Sequence, residues 1–326
     1  MQPMNILLTG AFGFIGINLS KHLKSELNSK LIAVDLNKSN HWPYDVFHTW
    51  NKLDKANWRD LDAIIHLAGK AHDIKANSKI EDFFEINLGL TKIIFDRFLK
   101  SNAHKFLYFS SIKAVADQFV GKALTEAEKP SPGTPYGKSK LAAENYIQSA
   151  FEHYKKSNNA NDQEIRKMIY ILRPCMIHGP GNKGNLNLLY HFVKRGIPYP
   201  LGAFDNQRSF LSIKNLNFVI QSILTRQVPS GIYHIADDEA LSTCQLIRSM
   251  AASLKRKPRI WNISPFLIER GVRIGDVLRL PLNSERLSKL TESYIVSNKR
   301  IKNALGILRM PLTALQGLEH TLRSFH

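Results

Sequence analysis

Through the first 175 residues, short apolar runs alternate with longer stretches whose apolar positions recur at helical spacing. Asn5 to Leu8, Leu31 to Val34, Ala63 to Leu67, Phe106 to Phe109 and Ile169 to Leu172 read as strands, and Val46 to Trp50 as a weaker one, third of six. Between them, Phe14 to Leu27, Ile80 to Lys100 and Tyr136 to Tyr154 read as helices. Strands and helices in regular alternation predict a parallel sheet with helices on both faces, so residues 1–175 are expected to form an α/β, Rossmann-type doubly wound domain. After Pro174 the alternation weakens. A glycine-rich loop (GPGNKGN) leads to a helix from Leu186 to Lys194, then a short strand at 232–236 and a helix from Ser242 to Leu254. Residues 176–326 are expected to form mainly a smaller, lid-like C-terminal lobe, with segments near Phe210 to Ile213 and Tyr233 to Ile235 able to return to the sheet. Lys129 to Pro135 and Lys155 to Gln163 read as loops. The basic, amphipathic stretch from Pro265 to Leu280 reads as part of a packed lobe, with contact to a membrane or partner as the alternative.

The bulk properties narrow the class. A chain of 326 residues suits one large domain plus a smaller lobe. Its 44% hydrophobic and 22% charged residues exclude disordered, collagen-like and disulfide-scaffold chains. Cys175 and Cys244 are far apart and lack further ligands at zinc spacing, so neither a disulfide framework nor a metal site is expected, and a reducing cytoplasm fits. The apolar run Met4 to Leu8 is too short for an export signal, and no stretch approaches the roughly 18 apolar residues of an integral membrane segment. The net charge of +18 is compatible with an anionic substrate, a membrane surface or nucleic acid. No nucleic-acid-reading motif accompanies it, so a nucleic-acid partner is not expected.

The chemistry is concentrated at the expected carboxyl ends of the strands, where doubly wound sheets bind ligands. The first strand runs into Gly10-Ala-Phe12-Gly13-Phe14-Ile15-Gly16, which opens a helix. Glycines serve here where the chain turns tightly and where backbone must approach a pyrophosphate, while the helix N-terminus offers amides to the phosphates. Asp35 ends the next strand about 20 residues on, where a carboxylate accepts from ribose hydroxyls. That favours NAD over NADP, although Lys38 nearby leaves NADP open. Leu67, Ala68 and Gly69 close the fourth strand with room for a cofactor, Asn87 on the following helix is placed to orient backbone there, and Pro174 ends the sixth strand. Ser110 and Ser111 end the fifth. Tyr136 and Lys140, four apart, share a helical face. A free phenol, with pKa about 10, is a poor base at neutral pH, and the Lys140 ammonium together with a positive nicotinamide ring is expected to lower it. Ser111 would hold the reacting oxygen, with Ser110 as the alternative.

Taken together, GAFGFIG, DAIIHLAG, FSSIK, PYGKSK, LRPCMIHGPG and RSFLSIKNL resemble the extended short-chain dehydrogenase/reductases, specifically the NAD-dependent epimerase/dehydratase family that includes UDP-glucose 4-epimerase. The resemblance spans roughly residues 4 to 305, and its wording looks closest to a branch that handles surface-polysaccharide sugars. It implies that Gly10, Gly13, Gly16 and Asp35 bind NAD, that Tyr136 and Lys140 carry the proton chemistry, and that the later lobe binds a UDP-sugar. It also carries substrate roles to Asn185, Leu186 and Arg208, whose planar fork suits a diphosphate, and a homodimer through the helices at Ile80 to Lys100 and Tyr136 to Tyr154. Met176 stands where 4-epimerases often have Asn, and Ile112 and Lys113 replace the acidic pair that dehydratases of the family use. C4 epimerisation of a UDP-hexose or UDP-N-acetylhexosamine is therefore expected. Reduction of a UDP-4-keto-6-deoxy-hexosamine is the alternative, and a non-catalytic cofactor-binding protein is less favoured.

Overall fold

The structure, a computed structural model, describes residues 3–38, 43–71, 79–119, 121–158, 166–182, 184–270, 287 and 290–325. Lys183, residues 159–163 of the expected loop and residues 271–280 of the basic stretch lie outside the described residues.

The six strands read from the sequence all form: β1 Asn5–Thr9, β2 Lys30–Asp35, β3 Val46–Thr49, β4 Ala63–His66, β5 Lys105–Phe109 and β6 Met168–Pro174. A seventh, β9 Gly231–Ile235, pairs in parallel with β6, so the segment around Tyr233 does return to the sheet. The order is β3-β2-β1-β4-β5-β6-β9, and every pairing is parallel. Strands covered on both faces read as continuous apolar runs, which is why they were legible. Ile6 and Leu8 of β1 enter one core beneath helices α1 Phe14–Leu27 and α6 Ile213–Thr225. Leu7 enters the opposite core, beneath α3 Leu90–Lys100 and α4 Pro135–Ser157. The helical run from Ile80 comprises α2 Ile80–Phe84, a π-turn Glu85–Gly89 and α3.

The expectation for Phe210 to Ile213 is corrected. That segment lies in β8 Arg208–Ser212 and pairs with β7 Met176–His178 and β10 Ala240–Leu241 in a separate three-stranded sheet. A five-residue apolar strand carries no mark of which sheet it joins. A third core joins β8 to α5 Asn185–Lys194, α7 Thr243–Ser253 and α9 Ala314–Arg323, the last of these following the short α8 Lys299–Leu305. No helix among the described residues is long and apolar enough to cross a membrane. Both cysteines are free and buried.

The strand order reverses between β1 and β4, and the crevice beyond their carboxyl ends is where such sheets take ligands.

Candidate active site

Beyond β1 the chain turns at Gly10 with φ of +64°, a conformation that side chains resist. A Cβ there would stand 2.8 Å from the Ala68 amide, and one on Gly16 would stand 2.4 Å from the Ala11 carbonyl oxygen. The loops after β1 and β4 therefore touch through glycine. Gly13 caps α1 and, as a glycine, brings no side-chain acceptor to the amides of that first turn. Its leading amides are thus free of a side-chain competitor for an anion. The Asp35 carboxylate accepts from the Phe12 amide at 2.9 Å and the Leu36 amide at 2.7 Å, which fixes it at the rim of this turn. These features fit a dinucleotide: a tight backbone cradle, an open helix end and a carboxylate at the ribose distance along the chain.

Tyr44 also builds the cradle, and the sequence reading did not single it out. Its buried hydroxyl donates to the Ala11 carbonyl at 2.6 Å and the Gly16 carbonyl at 3.1 Å, while its ring meets Phe12 edge-on. Burial raises this phenol well above its ordinary value, so it stays a donor. Tyr44→Phe should cost about 1–3 kcal/mol of stability by leaving those carbonyls short of a donor, a loss that urea denaturation would detect.

At the end of β4, His66 bridges Thr9 at 2.6 Å and Thr91 at 3.0 Å, and burial pulls its pKa down to about 3, keeping the ring neutral. Asn87 lies in the π-turn, where the side chain turns inward. It accepts from the Lys70 amide at 2.8 Å and donates to the Lys70 carbonyl at 3.1 Å and the Ser139 hydroxyl at 2.9 Å. A Cβ on Gly69 would stand 2.8 Å from the Asn87 side-chain oxygen and 2.9 Å from Lys140 Nζ. Gly69, Asn87 and Lys140 are thus one close-packed cluster.

Lys140 Nζ donates to the Phe109 carbonyl at 2.8 Å and lies 5.0 Å from the centre of the Tyr108 ring. Burial lowers its pKa to about 8, against the opposing pull of Glu144. The unfolded chain therefore holds this proton more tightly, and Lys140 should make folding stability rise as pH rises from about 8 toward the ordinary lysine value of 10.5. Comparing thermal unfolding of the wild type and Lys140→Met across that range checks this: the wild type should gain on the variant.

Tyr136 opens α4, whose start is set by Thr134, which accepts from the Gly137 amide, and by Pro135 in the first turn. The residue keeps some exposed surface, but burial of its phenol raises the pKa, and the neighbouring Ser111 hydroxyl acts the other way. Lys140 is not among the groups that shift it. The Lys140 amine bonds the Phe109 carbonyl, so the lowering expected from the ammonium together with a positive nicotinamide ring rests on the occupied site. Ser110 and Ser111 separate clearly. The Ser110 hydroxyl donates to Glu144, whereas Ser111, partly exposed, faces the phenol.

Glu144 and Arg173 were also not singled out. Glu144, one turn beyond Lys140, pairs with Arg173 of β6 through Nε at 2.9 Å and a terminal nitrogen at 2.5 Å, and both side chains are almost wholly buried. The available signal was the Tyr-x3-Lys-x3-Glu spacing on one helical face.

The expected substrate residues lie in the smaller lobe. Asn185 is exposed at the start of α5, while Leu186 beside it is buried in the third core, so its side chain packs the lobe. The loop before α5 leans on the cradle: Asn18 of α1 donates to the Pro180 carbonyl at 3.0 Å. Arg208 begins β8, with its Nε donating to the Glu292 carbonyl at 3.1 Å. Lys113 donates to the Asp117 carbonyl at 2.6 Å and lies 4.9 Å from the Tyr294 ring centre, which ties the loop after β5 to residues near 294. Pro174 is buried at the end of β6, and Met176 is 38% exposed just beyond it.

A family model described as the NAD dependent epimerase/dehydratase family matches residues 6–236. A UDP-glucose 4-epimerase of Vibrio cholerae is 28% identical over 333 residues, covering 99% of this chain and 96% of that protein. An N-acetyl-alpha-D-glucosaminyl-diphospho-ditrans,octacis-undecaprenol 4-epimerase of Escherichia coli O157:H7 is 26% identical over 340 residues, covering 98% of this chain and 94% of that protein. Among solved structures, a UDP-glucuronic acid 4-epimerase from Bacillus cereus in complex with NAD superposes with a TM-score of 0.71 at 17% identity, over 99% of this chain and 98% of the other.

Proposed function

The chain belongs to the NAD dependent epimerase/dehydratase family, and on that premise we propose that it is an NAD-dependent epimerase inverting C4 of a UDP-hexose or UDP-N-acetylhexosamine through a transient 4-keto sugar. The observation that carries this reading is the Tyr136 phenol standing beside Ser111, with Lys140 one turn on and packed against Gly69.

The glycine turn, with Phe12, Phe14 and Ile15, would hold the pyrophosphate at the start of α1. Asp35 would accept from the adenosine ribose, where a carboxylate disfavours the 2′-phosphate of NADP. Leu67, Ala68, Gly69, Asn87, Ser110 and Pro174 would line the remainder of the cleft. Bound NAD supplies the acceptor, and then the donor, of the C4 hydride.

The chain's own residues manage the proton and the pose. Tyr136 takes the proton of the sugar 4-hydroxyl and returns it, and Ser111 holds the same oxygen. Lys140 would hydrogen-bond the nicotinamide ribose and supply positive charge at the site. Asn185 and Arg208 hold the UDP portion, the latter at the diphosphate. Arg208→Ala should raise KM about tenfold or more with a smaller change in kcat, since uniform binding is what it supplies. Gly16→Val should lower NAD affinity by closing the cradle against the Ala11 carbonyl, as a cofactor titration would show.

A homodimer through the helices from Ile80 to Lys100 and Pro135 to Ser157 is part of the proposal, supported by Ile93, which is 45% exposed on α3. The reaction is tested by incubating the protein with a panel of UDP-hexoses and 4-keto sugars, with and without added NAD(P)H, and resolving the products by NMR. Turnover without added reductant supports the epimerase. Stoichiometric consumption of NAD(P)H replaces it with the 4-keto reductase.

A further inference from the structure

We propose that a basic, aromatic face of the smaller lobe, built from residues 194–197 and 255–270, docks on an anionic membrane surface. None of these residues has a part in the proposed reaction, and the inference is independent of it.

The two stretches form one surface. Bridges join Tyr199 to Ile260 and Leu201 to Asn262. Arg259 donates to the Gly196 carbonyl at 2.9 Å, and Arg256 donates to the Lys194 carbonyl at 2.6 Å. Burial then separates what faces in from what faces out. Ile260 and Ile268 pack on the third core. Trp261, Phe266 and Leu267 turn outward, 56%, 58% and 60% exposed, with Ile197 43% exposed on the neighbouring stretch. Large apolar side chains clustered on a surface mark an interaction site.

Charge selects the occupant. The two stretches carry seven Lys and Arg against the single carboxylate of Glu269. Arg270 lies 4.4 Å from the Phe266 ring centre, so cation and aromatic share one position. Basic side chains interleaved with Trp, Phe and Leu are the composition of interfacial segments: the apolar groups enter the headgroup boundary while the cations meet anionic lipid. A second copy fits poorly, because an isologous contact would set these cations against their own likeness. Nucleic acid would be met by the cations but leaves Phe266 and Leu267 without an apolar partner.

The position also makes geometric sense. Helix α5 begins at Asn185 and ends at Lys194. At 1.5 Å per residue its ends stand about 15 Å apart, so the docking face and the substrate lobe share one rigid element.

The test is co-sedimentation with vesicles of phosphatidylcholine alone and of phosphatidylcholine mixed with phosphatidylglycerol. The full-length protein should pellet with the anionic vesicles only. Lys255→Gln with Lys257→Gln should weaken that binding about thirtyfold, at roughly 1 kcal/mol per cation. Trp261→Ala with Phe266→Ala should weaken it about tenfold or more. All four positions are exposed, so the variants should fold, and their turnover of water-soluble nucleotide sugars and their sedimentation coefficient should match the wild type. Wild-type protein that ignores anionic vesicles, or variants that bind as well as wild type, overturns the proposal. So does a patch variant that changes the oligomeric state, which would make this a face between copies.

Discussion

Replacing Tyr136 by Phe should lower turnover by about 10²- to 10⁴-fold, the range that a positioned general acid–base contributes, while cofactor binding and thermal stability stay close to the wild type. The substitution removes one oxygen. The ring, its place on α4 and the Thr134 and Pro135 start of that helix remain. Ser111 lies beside that oxygen, and burial holds its proton more tightly than in a free phenol. Proton transfer therefore has to draw on positive charge at the occupied site, and Lys140 is the nearby cation of the chain. Lys140→Met should consequently impair turnover as well. Retention of near-normal activity in Tyr136→Phe would remove the phenol from the mechanism.

Arg173→Met should destabilise the fold by about 3–5 kcal/mol, because it strands the wholly buried Glu144 carboxylate. Equilibrium denaturation in urea measures this directly. Restoring balance with Glu144→Met in the same chain should recover most of the loss, since paired removal of a buried ion pair is often near neutral. The pair also supports the site above it. Glu144 receives the Ser110 hydroxyl and raises the affinity of Lys140 for its proton, so the single variant is expected to disturb activity beyond its effect on stability. A cost below about 1 kcal/mol would show that the pair is not held as tightly as its geometry implies.

Much of the fold was legible because both faces of the main sheet are covered. Runs such as Ile6, Leu7 and Leu8 then have nowhere polar to point, and each stands out as a strand. The glycine turn and Asp35 were legible for a similar reason: the backbone approach there excludes a Cβ, and only glycine satisfies it. Spacing alone set Tyr136 and Lys140 on one helical face, but it could not say where the long lysine side chain ends. The structure sends its amine to the Phe109 carbonyl and the Gly69 loop. Glu144 and Arg173 were hidden because single charges on a helix and a strand look like solvent-facing residues until their partners are known. Tyr44 was hidden in an aperiodic stretch, and its role depends on carbonyls 28 and 33 residues away. Between Ser110 and Ser111, both open in the sequence, we propose Ser111 as the catalytic hydroxyl because Glu144 engages Ser110. Which sheet β8 joins is a tertiary decision that its five residues do not encode.

We propose that one chain oxidises and re-reduces the same sugar carbon with no net use of cofactor. It is tested most directly by supplying a UDP-hexose or UDP-N-acetylhexosamine carrying deuterium at C4 and following both sugars by NMR without added reductant. The account expects the C4 epimer to accumulate with its deuterium still at C4. Loss of the label to solvent, or an epimer that forms only as NAD(P)H is consumed, would contradict it.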